Sequence, residues 1–109
     1  MHSLEFQLSD ALENASRLAR SGNLNFLIFL GGAKVFAEML GRDISAQIAM
    51  IESVGIKKAV PALLQEARRE AERGDVNYRT SLGNAQYYAP KVGKDVSAQV
   101  AEIELLYQG

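Results

Sequence analysis

Cysteine is absent from the 109 residues of this chain. Disulfides, thiolate zinc sites, iron–sulfur clusters and cysteine nucleophiles are therefore excluded. Histidine is nearly absent as well, because His2 is the single example. Without a second histidine or a cysteine, neither a serine–histidine–aspartate nor a cysteine–histidine arrangement is expected. The Glu-x-x-His pairs of carboxylate-bridged metal bundles are also missing. We predict no catalytic residue, no metal and no other cofactor.

A strong charge of either sign is also lacking, since the net charge is −1. Residues 1–55 carry 4 basic and 6 acidic groups, and residues 56–109 carry 8 and 7. Neither half has the basic excess of a nucleic-acid surface. The longest apolar run, 24–33, is only ten residues long and too short to span a bilayer. The first residues lack the pattern of a signal peptide. We expect a cytoplasmic protein with no membrane partner.

What the chain does contain is an internal repeat. The stretch GRDISAQIAMIE (41–52) returns as GKDVSAQVAEIE (93–104), 52 residues later. With this offset, 18 of the 52 aligned pairs are identical between 4–55 and 56–107. The two copies fill almost the whole chain, which is typical of a tandem duplication. The length fits one domain, and we predict a single domain, 1–109, made of these two repeats.

Apolar residues recur in both copies with the alternating spacing of four and three that marks one face of an α-helix. Each copy has three such stripes. The stripes of the first copy are Leu8, Leu12, Ala15 and Ala19, then Phe26, Leu30, Ala33, Ala37 and Leu40, then Ile44, Ile48 and Ile51. Those of the second copy are Val60, Leu64, Ala67 and Ala71, then Tyr78, Leu82, Ala85, Ala89 and Val92, then Val96, Val100 and Ile103.

Helix boundaries follow from the residues between the stripes. Glycines stand just past the stripes, where helices prefer a left-handed residue, and Asn or Asp follows as an N-cap. The pattern predicts an all-α bundle of about six helices, at 9–21, 24–40, 43–54, 61–73, 76–92 and 95–107. Pro90 is expected to kink the fifth helix or end it early.

A β-strand is the alternative interpretation of two segments. Residues 24–30 form a short apolar run before Gly31 and Gly32, and residues 76–82 contain an alternating, strand-favouring pattern. Gly31 and Gly83 would each cost a helix about 1 kcal/mol. We prefer helices because the period of the stripes runs through both glycines.

The second helix is predicted to form an interface. In the first copy it is apolar nearly all round, as in a helix that is central or is half of an interface. Duplicated units are expected to resemble a former homodimer, and such a chain is expected to dimerise again through this helix. The predicted interface residues are Leu27, Ile28, Phe29, Met39, Tyr87 and Tyr88.

The third helix retains polar as well as apolar residues in both copies. A structural interpretation makes Asp43 and Asp95 caps and gives Gln47 a backbone partner. The functional interpretation is a pseudo-symmetric carboxylate-lined cleft between the repeats for a small ligand. Its predicted residues are Asp43, Gln47, Glu52, Asp95, Gln99 and Glu104.

The segment 57–79 collects most of the basic residues, but glutamates alternate with them. A solvated face with helical ion pairs is the simplest interpretation. The favoured function is a small protein–protein interaction or scaffolding module that self-associates, and another protein is a further possible partner. The first alternative is a small-ligand binder or enzyme using the predicted cleft. The second alternative is nucleic-acid binding through residues 57–79.

Overall fold

The computed structural model describes residues 3–108, and His2 lies outside them. Five α-helices and one short 3-10 helix, with no strand, make up this part of the chain. The all-α prediction is confirmed, and neither 24–30 nor 76–82 forms a strand. The α-helices are α1 (Leu4–Arg20), α2 (Phe26–Leu40), α3 (Ser45–Glu72), α4 (Tyr78–Tyr88) and α5 (Ser97–Leu106), and the 3-10 helix is Ala89–Val92.

The expected number of six helices is wrong, because the third and fourth predicted helices form the single helix α3. Residues 55–60, which the prediction left as a linker, are helical. Ile56, Ala59 and Val60 are almost completely buried there. A buried linker would leave its backbone groups without water, and a helix satisfies them internally. Pro61 removes one donor inside α3, and the burial of its neighbours outweighs that loss.

The chain divides into two compact units, Met1–Gly55 and Ile56–Gly109. The division falls within α3, between Gly55 and Ile56. The aligned segments 4–55 and 56–107 meet at the same point. The first unit contains α1, α2 and the start of α3, and the second contains the rest of α3, α4, the 3-10 helix and α5.

The core of the first unit follows the predicted stripes. Alanines on α1 and α2 are fully buried, and these two helices pack against each other closely. Small residues at such contacts allow helix axes to approach. Leu12, Leu40 and Ile51 of the stripes are only half-buried. The buried stripe residues are Leu8, Ala15, Ala19, Phe26, Leu30, Ala33, Ala37, Ile44 and Ile48.

The core of the second unit uses the matching positions. Leu64 and Val92 are half-buried, and the other stripe positions are buried. Those buried residues are Val60, Ala67, Ala71, Tyr78, Leu82, Ala85, Ala89, Val96, Val100 and Ile103.

The turns between helices are alike in both units. Gly22 (φ 74°) and Gly74 (φ 73°) adopt the left-handed conformation that glycine tolerates best. The next residues, Asn23 and Asp75, each accept a side-chain hydrogen bond from a backbone N–H two positions later. The predicted glycine stops are therefore present. The predicted caps Asn23 and Asp75 lie within the turns instead, because the residues that directly precede α2 and α4 are Asn25 and Asn77, whose side chains make no capping hydrogen bond.

The start of α1 and the end of α4 differ from their predicted positions by more than two residues, for local reasons. Helix α1 begins at Leu4 rather than near residue 9, because the Ser3 hydroxyl accepts the N–H of Phe6 at 3.1 Å. Helix α4 ends at Tyr88, and the 3-10 helix that follows contains Pro90, as the expected early end requires. None of the helices within residues 3–108 has both the length and the apolar character needed to cross a membrane.

Candidate functional site

Helix α2 is apolar on the side that faces the core and on the opposite side. Phe26, Leu30, Ala33 and Ala37 are buried. On the opposite side Ile28, Val35 and Met39 are exposed by 71%, 55% and 64%. Together with Gly32, which stands between Ile28 and Val35 at helical spacing, these residues form the outer stripe of α2, at positions 28, 32, 35 and 39.

An apolar groove borders this stripe. It measures about 380 Å³ and lies between α1 and α2, within the first unit. Phe29, Gly32 and Phe36 line it from α2, and Phe6 lines it from α1. Since Phe6 is 50% exposed, the apolar surface extends from the outer stripe onto α1.

The glycines of α2 are not required by packing within the chain. A Cβ placed on Gly31 would meet nothing within 4 Å, and one on Gly32 would only touch the ring of Phe36 at 3.9 Å. Each glycine inside a helix costs about 1 kcal/mol relative to alanine. The fold itself therefore does not require a glycine at position 32 of the outer stripe.

The matching positions of the second unit, on α4 and the 3-10 helix, are polar. Thr80, Asn84, Tyr87 and Lys91 occupy the positions that align with the outer stripe. Tyr87 is 62% exposed, and the Lys91 amine lies 4.7 Å from the centre of its ring. The exposed apolar stripe is thus present in the first unit and absent from the aligned positions of the second.

The six predicted interface residues are distributed between the two units. In the first, Ile28 and Met39 are exposed, whereas Leu27 and Phe29 are half-buried. In the second, Tyr87 is exposed and Tyr88 is half-buried, with their rings edge-on at 4.9 Å. The outer stripe therefore uses two of the predicted residues and adds Gly32 and Val35.

The polar residues predicted for the first unit surround the corner between α2 and α3. Asp43 and Glu52 both line an open depression of about 600 Å³. The Glu52 carboxylate lies 3.9 Å from the Lys34 amine, which also lines the depression. Gln47 is exposed on α3 and borders two other shallow grooves of the first unit.

Asp43 stabilises the turn that leads into α3, which begins two residues later at Ser45. Its carboxylate accepts the backbone N–H of Ser45 at 2.9 Å and the Ser45 hydroxyl at 2.6 Å. These hydrogen bonds stabilise the ionised form and lower the pKa of Asp43 below its usual value. Asp95 makes the same two bonds to Ser97 at the beginning of α5, and they lower its pKa in the same way.

The other predicted polar residues of the second unit, Gln99 and Glu104, are exposed. Asp43 and Asp95 therefore stabilise the turns that lead into α3 and α5, but Asp95 is not the N-cap of α5, since that position is Val96. The two glutamines lie on the surface of their helices. Among residues 3–108 no three acidic or histidine side chains converge as metal ligands.

Three arginines of the basic segment have acidic partners within the second unit. Arg68 donates to Glu102 on α5 at 2.8 Å, Arg69 pairs with Glu66 at 2.9 Å, and Arg73 lies 3.8 Å from Asp75. The ion pair and hydrogen bond to Glu102 raise the pKa of Arg68. The guanidinium of Arg79 lies 5.8 Å from the ring centre of Tyr78 and 5.7 Å from that of Tyr107.

Two interactions were not expected from the sequence. Glu70 is only 8% exposed, and the hydroxyl of Ser81 donates to its carboxylate at 2.6 Å. The rings of Tyr78 and Tyr107 lie 4.5 Å apart. The alignment of the copies contains a signal for the first pair, because Glu70 and Ser81 replace the apolar Leu18 and Phe29 together.

No known family model, no curated protein and no solved structure matches this chain. The outer stripe of α2 and its groove are therefore assessed on their own chemistry.

Proposed function

We propose that this chain is a small helical interaction module that self-associates through the outer stripe of α2. The observation that carries the proposal is the exposure of Ile28, Val35 and Met39 on a helix whose other side is already buried in the core. Contiguous exposed apolar surface on a small protein commonly marks an interaction site. The aligned positions of the second unit, which include Thr80 on α4 and Lys91 in the 3-10 helix, bear no such surface.

Binding of a nucleic acid is less well supported. Two of the arginines in 57–79, Arg68 and Arg69, already pair with acidic partners, Glu102 and Glu66. Phosphate contacts require basic groups that are free to release counterions.

The absence of cysteine fits a reducing, cytoplasmic setting for the module.

We further propose that the two units arose by tandem duplication of a three-helix segment. The supporting observations are the aligned identities and the matching corners. Gly41 (φ 67°) and Gly93 (φ 69°) end the second segment of each copy in the same conformation. Asp43 and Asp95 then make the same pair of bonds to the serine that follows. Exchanging Asn23→Asp and Asp75→Asn should leave the thermal midpoint unchanged, and a large loss of stability would contradict equivalent corners.

Self-association is tested by native mass spectrometry and sedimentation over a range of protein concentrations. We expect a dimer whose population rises with concentration in the wild-type chain. Ile28→Glu should shift it to monomer without loss of helical circular dichroism, because burying an unpaired carboxylate in an apolar contact is costly. Thr80→Glu, at the aligned position of α4, is the matched control and should dimerise normally. A wild-type monomer at all concentrations, or equal dimerisation of both variants, would refute the proposal.

A further inference from the structure

The spacing of the outer stripe of α2 is the same when counted from either end of the helix. Its positions 28, 32, 35 and 39 are separated by four, three and four residues. Turning a second α2 end for end therefore places Ile28 opposite the partner's Met39, and Gly32 opposite the partner's Val35. The larger side chain then meets the smallest one at the centre of the contact.

The glycine at that centre is explained by such a contact. A Cβ on Gly32 would meet only the Phe36 ring at 3.9 Å, so its own fold does not exclude a side chain there. Glycine weakens the helix that contains it. A small residue on a helix surface lets the backbone of another helix come close. The partner's Val35, exposed by 55%, is the branched side chain that would occupy the space.

The size of the surface agrees with a second copy as the occupant. Phe6, Ile28, Val35 and Met39 are all exposed by half or more. Their combined exposed area is on the order of 500 Å². Two copies would then bury about 1,000 Å², which is close to the minimum for a biological interface and lies in the range of weak, transient contacts. A weak dimer that depends on concentration is therefore expected.

We propose that two copies of this chain pair through α2 in antiparallel orientation about a two-fold axis, with Val35 of each copy seated against Gly32 of the other. This inference rests on the proposed self-association. The antiparallel arrangement also opposes the two helix dipoles, whereas a parallel pairing would align them and set valine against valine. A two-fold axis makes the contact self-complementary and closed at the dimer.

Disulfide cross-linking tests the orientation directly, because the chain has no cysteine of its own. Ile28→Cys and Met39→Cys chains are mixed and oxidised mildly, and the masses of the products are measured. The antiparallel dimer predicts the mixed product, while two copies of Ile28→Cys should not join each other. Their Cα atoms would lie about 16 Å apart along the helices, beyond the reach of a disulfide. Efficient joining of Ile28→Cys to itself, without the mixed product, would overturn the antiparallel arrangement.

The glycine contact is tested by Gly32→Ala, with a glycine of the other unit as the control. Gly32→Ala should raise the thermal midpoint of the chain and yet weaken dimerisation at least tenfold. Gly83→Ala, in open space on α4, should raise the midpoint and leave dimerisation unchanged. If Gly32→Ala dimerises as well as the wild-type chain, the proposed contact between Val35 of one copy and Gly32 of the other is wrong.

The same measurements distinguish a failure of the antiparallel α2 pairing from a failure of self-association. If the wild-type chain stays monomeric, self-association itself fails. If it forms a dimer that Met50→Cys cross-links and the α2 cysteines do not, self-association stands and the α2 pairing fails. Met50 is 70% exposed on α3 and serves as that reference position.

Discussion

Gly55 packs directly against the ring of Phe26. A Cβ on Gly55 would lie 2.8 Å from Cδ1 of Phe26, and closer still to Cε1 and Cζ. Phe26 is fully buried and is among the largest side chains of the core. At the aligned positions of the second unit, Tyr107 follows the last residue of α5 in an extended conformation and stacks on Tyr78. Gly55 thus allows α3 to continue past Phe26. In the second unit the large side chain of Tyr107 stands at the aligned position, and α5 ends just before it.

Gly55→Ala should therefore destabilise the protein. The added methyl group must displace the Phe26 ring, and overpacking of this kind costs about 1–3 kcal/mol. Gly83→Ala is the control, since its Cβ would meet nothing within 4 Å. It should stabilise the chain by roughly 0.5–1 kcal/mol through helix propensity alone. Urea unfolding followed by circular dichroism measures both, and equal stabilisation by the two changes would contradict the close packing of Gly55.

Ser81→Ala should destabilise the second unit by about 1–3 kcal/mol, because the buried Glu70 loses its hydrogen-bond donor. Glu70→Leu combined with Ser81→Phe introduces the residue pair of the first unit, Leu18 and Phe29. That combination should be more stable than the sum of its single changes predicts. The coupling is obtained from a double-mutant cycle, and strict additivity would show that the two side chains act independently.

Acid should weaken the corners that precede α3 and α5. Asp43 and Asp95 have pKa values lowered by hydrogen bonds from Ser45 and Ser97, so the folded state binds their protons less readily than the unfolded chain. This contribution is fully present above the unfolded pKa of about 3.9 and is lost as the pH falls through the lowered folded pKa. Asn at both positions retains an acceptor oxygen without the titrating group.

The Asp43→Asn, Asp95→Asn double variant should show a shallower loss of stability below about pH 4 than the wild-type chain. The measurement is the urea midpoint across the acid range, with Asp10→Asn, an exposed acid within α1, as the control. Identical acid profiles for the double variant and the wild-type chain would contradict the assigned hydrogen bonds.

Gln47→Ala combined with Gln99→Ala should leave stability within about 0.5 kcal/mol of the wild-type value, because both side chains are exposed. A loss of several kcal/mol would show that the glutamines are structural. Native mass spectra of the wild-type and double-variant chains extend the test, since an added mass present only in the wild-type spectrum would support the predicted small-ligand cleft.

The helices and their buried faces could be read from local information. The stripes from Leu8 to Ile103 are periodic, and burial of an apolar face is what such a period requires. The glycine stops at Gly22 and Gly41 and the hydrogen-bonded turns at Asn23 and Asp43 depend only on backbone conformation and on hydrogen bonds between residues close in the chain. Half of the outer stripe, Ile28 and Met39, could be chosen because α2 has more apolar residues than one face needs.

Tertiary packing determined what these local rules could not. Gly55 and Pro61 both favour a break, and α3 continues because Ile56, Ala59 and Val60 are buried together as one helical face. Whether Val35 or Leu27 faces outward depends on how far α2 is rotated against α1, which is a property of the packed pair. Sequence determined the period, the caps and the surplus of apolar residues on α2, since these arise within one helix. Only the tertiary structure decided where α3 continues and which residues remain exposed, because those outcomes depend on contacts between residues far apart in the chain.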